Sequence, residues 1–179
     1  TDFYRTERAR ESFNEGRTGS QLTLGRHLTL DTSLRLIYRI ESIAINDLDS
    51  DAPQDVVNVK GGSLLSSVTA DFTIDTRDSD ILATRGYIIG LSYELVGVIF
   101  GGDYDFSRVN VRLGWFQTLY TNADNFKHVL ALGSRIGLAK SHSSEKTPIF
   151  ERFFAGGASS IRGFQFRTVG PKDPFSGDP

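Results

Sequence analysis

Leu34-Arg35-Leu36-Ile37-Tyr38-Arg39-Ile40-Glu41 alternates in character from residue to residue. In an extended chain Leu34, Leu36, Tyr38 and Ile40 share one face, and Arg35, Arg39 and Glu41 the other. At helical spacing the same apolar residues would be scattered around the axis, so the segment reads as a strand. The next apolar segment repeats the pattern, with Val68, Ala70, Phe72 and Ile74 opposite Thr69, Asp71, Thr73 and Asp75.

Three further segments obey the same rule. Tyr87, Ile89, Leu91, Tyr93 and Leu95 oppose Ile88, Gly90, Ser92 and Glu94, and Val109, Val111, Leu113 and Trp115 oppose Arg108, Asn110, Arg112 and Gly114. Leu130, Leu132, Ile136 and Leu138 oppose Ala131, Gly133, Arg135 and Gly137. Gln21 to Leu30 reads as a sixth strand, with Leu22, Leu24, Leu28 and Leu30 on one face. Arg26 falls on that same face; at a bilayer midplane it would cost about 2 to 4 kcal/mol, so either its head reaches an interface or the strand is misassigned. Residues 2 to 13 form a weak seventh strand, because neither face is apolar.

The connections are Asn14 to Ser20, the two-residue turn Asp31-Thr32, Asn46 to Gly62, Thr76 to Arg85, Gly97 to Asp103, Thr121 to Asn125, and everything after Ala139. Antiparallel neighbours place alternate connections on the same side. The two longest, 46 to 62 and 140 to 179, then share one side, and Asp31-Thr32 and Thr121 to Asn125 the other. Long loops on one side and short turns on the other is the asymmetry of bacterial outer-membrane barrels.

Composition bounds the class. The 179 residues are 39% apolar, as in ordinary globular proteins, and they contain no run of about 18 apolar residues of the kind that crosses a bilayer as a helix. A net charge of -2 supplies no basic field for nucleic acid. There is no cysteine for disulfides or thiolate metal sites. The chain has no methionine and opens at Thr1 in polar, strand-like sequence, which points to a piece of a longer chain with any signal peptide upstream.

Periodicity alone leaves a membrane barrel and a soluble sandwich or lipocalin-like barrel open. Tyr87, Tyr93 and Trp115 lie on the apolar face near segment ends, where an aromatic girdle would sit. The opposite face carries arginines, acids, glycines and threonines, which suits a polar lumen.

A sharper signal begins at Pro148: Pro148-Ile149-Phe150-Glu151-Arg152-Phe153-Phe154-Ala155-Gly156-Gly157-Ala158-Ser159-Ser160-Ile161-Arg162-Gly163-Phe164, ending Val169-Gly170-Pro171-Lys172-Asp173. It resembles the loop that folds back into the barrel in the BamA-type family of outer-membrane assembly factors, whose signature is a Val- or Ile-Arg-Gly-Phe tetrapeptide after an aromatic, glycine-rich run. Upstream, Asp75-Thr76-Arg77-Asp78 and Ala83-Thr84-Arg85-Gly86 resemble the elements that flank a periplasmic turn in the same family, with Ala83 where proline is usual.

The resemblance implies an all-β fold, a partial transmembrane antiparallel barrel of seven meander strands out of roughly sixteen. Residues 1–139 would supply the fifth to eleventh strands, and 140–179 most of the long sixth extracellular loop, folded back into the lumen. POTRA domains would precede Thr1 and the last strands would follow Pro179. Seven strands with two open edges cannot satisfy their backbone in hydrocarbon alone.

Within such a lumen Arg162 is suited to bind carboxylates or carbonyls of the wall bidentately. Gly156, Gly157 and Gly163 permit sharp turns beside it, with Gly170 and Pro171 after the motif, and Phe153, Phe154 and Phe164 would pack a small core of the loop's own. The other reading is a solvated arginine in a glycine-rich turn. Arg35, Arg39, Glu41, Asp71, Glu94, Arg108, Arg112 and Arg135 are expected to face the lumen, and Leu36, Phe72, Leu91, Val111 and Leu132 lipid.

Other chemistry is poorly supported. Asp47-Leu48-Asp49-Ser50-Asp51 has alternate acids, but Ala52 stands where a calcium loop needs glycine and Asn58 where it needs glutamate. Three histidines, His27, His128 and His142, sit beside no nucleophile-elbow serine, and His128 reads as a belt residue. No catalytic residue, metal or cofactor is expected. The function implied is that of a factor in the bacterial outer membrane that inserts barrel proteins by strand templating. Its partners would be unfolded outer-membrane protein precursors, assembly-complex lipoproteins and the lipid bilayer, with no nucleic acid. The alternatives are a two-partner-secretion transporter, a passive pore or a barrel enzyme.

Overall fold

The computed structural model describes residues 1–9, 13–48, 54–97, 100–143, 147–158, 160–165 and 168–170. Seven strands form one antiparallel sheet in sequential order: β1 (Asp2–Ala9), β2 (Asn14–His27), β3 (Thr32–Asn46), β4 (Gly61–Asp75), β5 (Gly86–Val96), β6 (Phe106–Thr121) and β7 (Lys127–Ser141). β1 does not pair with β7, so the sheet is open at both edges. From β2 onward every strand has at least the 9 to 11 residues, roughly, that a tilted strand needs to cross a bilayer.

The register sorts the faces. Arg35 pairs with Asp71, and Glu94 with Arg108, on one face. Leu34 pairs with Phe72, Phe72 with Leu91, Leu91 with Val111, and Val111 with Ile136 on the other. Leu36, Leu91 and Leu132 are exposed on this second face, as a lipid-facing surface requires. Tyr87, Trp115 and Leu132 form one cross-strand row on it, close to the side of the short turns.

The N-terminal boundaries differ from the sequence expectation. Asn14 to Ser20 is not a connection but the first half of β2, paired with β1 and β3 along its whole length. Its polar and glycine-rich composition imitates a loop because its inward positions carry charge. At Gly19 a Cβ would lie 2.6 Å from the Glu41 Cβ, so the strand passes too close to its neighbour for a side chain there. The turn to β3 is also longer than Asp31-Thr32: β2 stops at His27, and the N–H groups of Leu28 and Thr29 both donate to the Thr32 carbonyl. Arg26 is outward, opposite Leu34, and is the penultimate residue of β2, within reach of the interface.

The core lies on the inward face at the loop side. Ile43 and Ile45 of β3, Leu65 of β4, Val96 of β5 and Phe106 of β6 meet Phe13, Ile149 and Phe150, with Val56 and Val59 from the connection between β3 and β4. That connection contains one helical turn, α1 (Gln54–Val57). The acidic run from Asp49 to Asp51, Ala52 included, lies outside the described residues.

Candidate functional site

Below the apolar cluster the inward face becomes charged. Arg17 of β2 donates through Nη1 to Glu41 Oε1 at 2.9 Å and to Glu151 Oε1 at 2.8 Å, and through Nε to Glu15. Its Nη2 donates to the Phe150 carbonyl at 3.3 Å, and the guanidinium lies 5.6 Å from the centre of the Phe150 ring. Arg39 of β3 donates to Glu41 at 3.0 Å and to Glu94 at 2.7 Å. Arg108 of β6 binds the second oxygen of Glu94, with Nε at 3.0 Å, and pairs with Glu151 Oε2 at 3.0 Å. Tyr4 of β1 donates its hydroxyl to Glu41 at 2.6 Å.

Three guanidiniums and four carboxylates thus share one network, and all four carboxylates are buried. Isolated charges could not be buried at this depth; mutual pairing and charge-assisted hydrogen bonds offset their desolvation. Among the described residues no buried side-chain nitrogen or oxygen lacks a hydrogen-bond partner. Every carboxylate here accepts from a guanidinium, so the cluster suits holding a segment in place better than transferring protons.

The segment held is the motif-bearing loop. Its first leg contains the 3₁₀ turn Ile149–Glu151, whose three residues are all buried. Arg152 next to it donates to the Thr147 carbonyl at 2.7 Å and pairs with Asp55 of α1. Phe153 lies on β7 at Gly137, where a Cβ would come within 2.7 Å of the ring. Phe154 packs against the apolar cluster and Phe164 is exposed, so the three aromatics dock on the wall or face outward instead of forming a core of their own.

Beyond Phe154 the loop closes on itself. Val169 N–H donates to the Ala155 carbonyl at 3.0 Å, Gly157 N–H to the Phe164 carbonyl at 3.0 Å, and the Gly156 N–H to Ser160 Oγ at 2.9 Å. Gly156, Gly157 and Gly163 have φ of 110°, 94° and 90°, which a side chain would resist. Ser160 and Ile161 line a recess whose other wall includes Ile88, Arg112, Gly133 and Arg135. Arg162 is exposed at the tip and makes no ion pair among the described residues. Gly170 is exposed, and Pro171 lies outside the described residues.

The second motif comes together at the turn between β4 and β5. Arg77 grips Asp75 with Nε at 2.8 Å and Nη2 at 2.7 Å. Asp78 accepts the Thr84 N–H at 2.8 Å, the Arg85 N–H at 3.1 Å and the Thr84 hydroxyl. Those three bonds, the Thr84 hydroxyl foremost, hold the Asp78 carboxyl well below the usual carboxylate range. Gly86 has φ of 104°, and a Cβ there would strike the Thr76 carbonyl.

Nothing in the alternation singles out Tyr4, Glu15, Arg17 or Glu151 as site residues. A readable signal did exist: after Glu41 the apolar residues shift phase, from Leu36, Tyr38 and Ile40 to Ile43 and Ile45, where the wall turns from lipid contact to loop contact.

The sequence profile of the Omp85 superfamily domain matches residues 1–179. The chain belongs to the Omp85 superfamily. Among Omp85 relatives, the outer membrane protein assembly factor BamA of Nitratidesulfovibrio vulgaris is 37% identical over 141 residues, 79% of this chain and 17% of that protein. The sorting and assembly machinery component 50 homolog of Homo sapiens is 33% identical over 112 residues, 63% of this chain and 23% of that protein. The crystal structure of BamA from Haemophilus ducreyi lacking POTRA domains 1–3 superposes with a TM-score of 0.76 at 18% identity, over 99% of this chain and 37% of that one. The seven strands of this chain thus have the fold of part of a BamA barrel, and the chain's setting is the bacterial outer membrane. The chain spans 17% and 23% of these two relatives' lengths.

Proposed function

We propose that this Omp85 chain is barrel wall and lumen loop of a factor that folds and inserts β-barrel proteins into the outer membrane. The observation that carries the reading is the seating of the loop on the inner wall, with Glu151 between Arg17 and Arg108 and Ile161 beside Arg112 and Arg135. The relatives named as assembly factors support it. A lumen occupied by a bound loop suits a machine that works at a strand edge better than an open pore. Precursor strands would be templated by β-augmentation at an unpaired edge, with no covalent chemistry. The partners would be unfolded precursors, assembly lipoproteins and the bilayer. Arg162 would bind wall acids on strands beyond this chain, with Gly156, Gly157, Gly163 and Gly170 shaping the loop and the Asp75–Gly86 turn fixing the sheet's opposite side.

The test is reconstitution of the full-length protein in phospholipid vesicles with an unfolded barrel precursor. Faster appearance of the precursor's heat-modifiable folded form than in empty vesicles is expected, with Arg162→Ala slowing it and Arg162→Lys rescuing poorly. A large steady conductance with no acceleration of folding would overturn the reading in favour of a transporter or pore.

A further inference from the structure

The loop's two halves are held differently. The leg from Thr147 to Phe154 is tied to the wall by Glu151, by the Phe150 and Glu151 carbonyls on Arg17 and Arg108, and by Phe153 on Gly137, and to α1 by Arg152 on Asp55. From Ala155 to Val169 the hydrogen bonds among the described residues are the loop's own. Among the described residues of that half, Ser160 and Ile161 meet the wall at the recess that Ile88, Arg112 and Arg135 also line.

The charges of the network explain where the anchor lies. Among the described residues of the network, Arg17, Arg39 and Arg108 on the wall are balanced by Glu15, Glu41 and Glu94. Glu151 is therefore a surplus negative charge brought in by the loop, buried at 4% side-chain exposure. A buried carboxylate without a counter-charge is strongly disfavoured, so Glu151 can occupy this place only while both guanidiniums bind it. Those guanidiniums lie on β2 and β6, so one carboxylate fixes the leg relative to strands far apart in the sheet.

We propose that Glu151 is a positioning residue of the loop: a charge anchor, separate from Arg162, that fixes the first leg to the inner wall and leaves the Arg162 turn hinged at Ala155. The proposal depends on the barrel wall alone, not on the assembly reading, since neither precursor nor partner enters it.

The loop carries its own reporters, because trypsin cuts after arginine and Arg152 lies in the anchored leg while Arg162 lies at the tip. The experiment is limited trypsinolysis of full-length protein folded in detergent, with the cuts after Arg152 and Arg162 followed separately by mass spectrometry. Glu151→Gln keeps the shape but offers one acceptor where two oxygens now serve two guanidiniums. It is expected to speed the cut after Arg152 by about tenfold or more, with Glu151→Asp intermediate. Arg162→Ala is expected to leave the Arg152 cut within about twofold of wild type, as for an uncoupled site. Two results would overturn the proposal: wild-type protection of Arg152 in Glu151→Gln, or equal exposure of Arg152 in Arg162→Ala, which would mean a single shared lock. If Glu151→Gln fails to give the heat-modifiable folded form, Arg108→Lys takes its place. It keeps the wall's charge but loses the fork, and should speed the Arg152 cut; no acceleration would equally overturn the anchor.

Discussion

Arg39 of β3 reaches across the intervening strand to Glu94 of β5, Nη2 to Oε1 at 2.7 Å. The path is open because β4 offers only a small side chain there, Ser67, which accepts from Arg39 Nε at 3.3 Å. Three strands are thereby joined by side chains as well as by their backbone ladders, and Arg108 closes the set from β6. Glu94→Ala should cost about 3 kcal/mol, because it removes the buried carboxylate shared by two partly buried guanidiniums, of which Arg39 keeps only Glu41 and Arg108 only Glu151. Denaturant unfolding of the detergent-folded barrel measures it, and a loss under about 1 kcal/mol would show the network to be a surface feature.

Phe153 and Gly137 make a paired test of loop seating. Gly137→Val places a side chain where the ring now lies and should expose the Arg152 peptide bond to trypsin. Adding Phe153→Ala should restore protection, at least in part, by vacating the space. Unchanged protection in Gly137→Val alone would mean that the ring does not rest on β7.

The Asp78 turn makes a pH-dependent contribution. Its folded-state carboxyl is held below its unfolded value, so the stabilisation is fully present above the unfolded value of about 3.9 and is lost as pH falls through the folded one. Wild type and Asp78→Asn should therefore differ by a constant amount in unfolding midpoint above about pH 5, and the gap should narrow with acidification below about pH 4. A gap that stays constant from pH 7 to pH 2.5, roughly, would remove Asp78 from the turn's acid response.

The lipid face is tested by a single charge. Leu91 sits mid-strand between Phe72 and Val111, so Leu91→Arg should cost about 2 to 4 kcal/mol when folding into vesicles is measured. Arg26→Leu, at the end of β2, should change stability by less than about 1 kcal/mol. Equal effects at the two sites would contradict the depth assigned to them.

Much of this was legible in the chain. A period of two assigns every residue of a strand to a face once one residue is placed, so Arg35, Asp71, Glu94 and Arg108 on one side and Leu36, Leu91 and Leu132 on the other follow from the pleat. The two halves of the Asp75–Gly86 turn were marked only by their resemblance to the family, and their bonds, Arg77 on Asp75 and the Thr84 and Arg85 N–H groups on Asp78, came from the structure. The first half of β2 was misread as a connection, since Gly16 and Gly19 beside Glu15 and Arg17 look like a loop until the neighbouring strands supply their partners.

The sequence by itself determined the strands from β3 to β7, their facing and the family motif, all properties of neighbours along the chain. Which charges meet was decided by tertiary structure. Arg17 and Glu151 are 134 positions apart, and no spacing rule links them. Their contact exists because the segment after β7 returns to the inward face of the sheet, where β2 and β6 present Arg17 and Arg108, and a low-dielectric interior then accepts a carboxylate only where guanidiniums already wait.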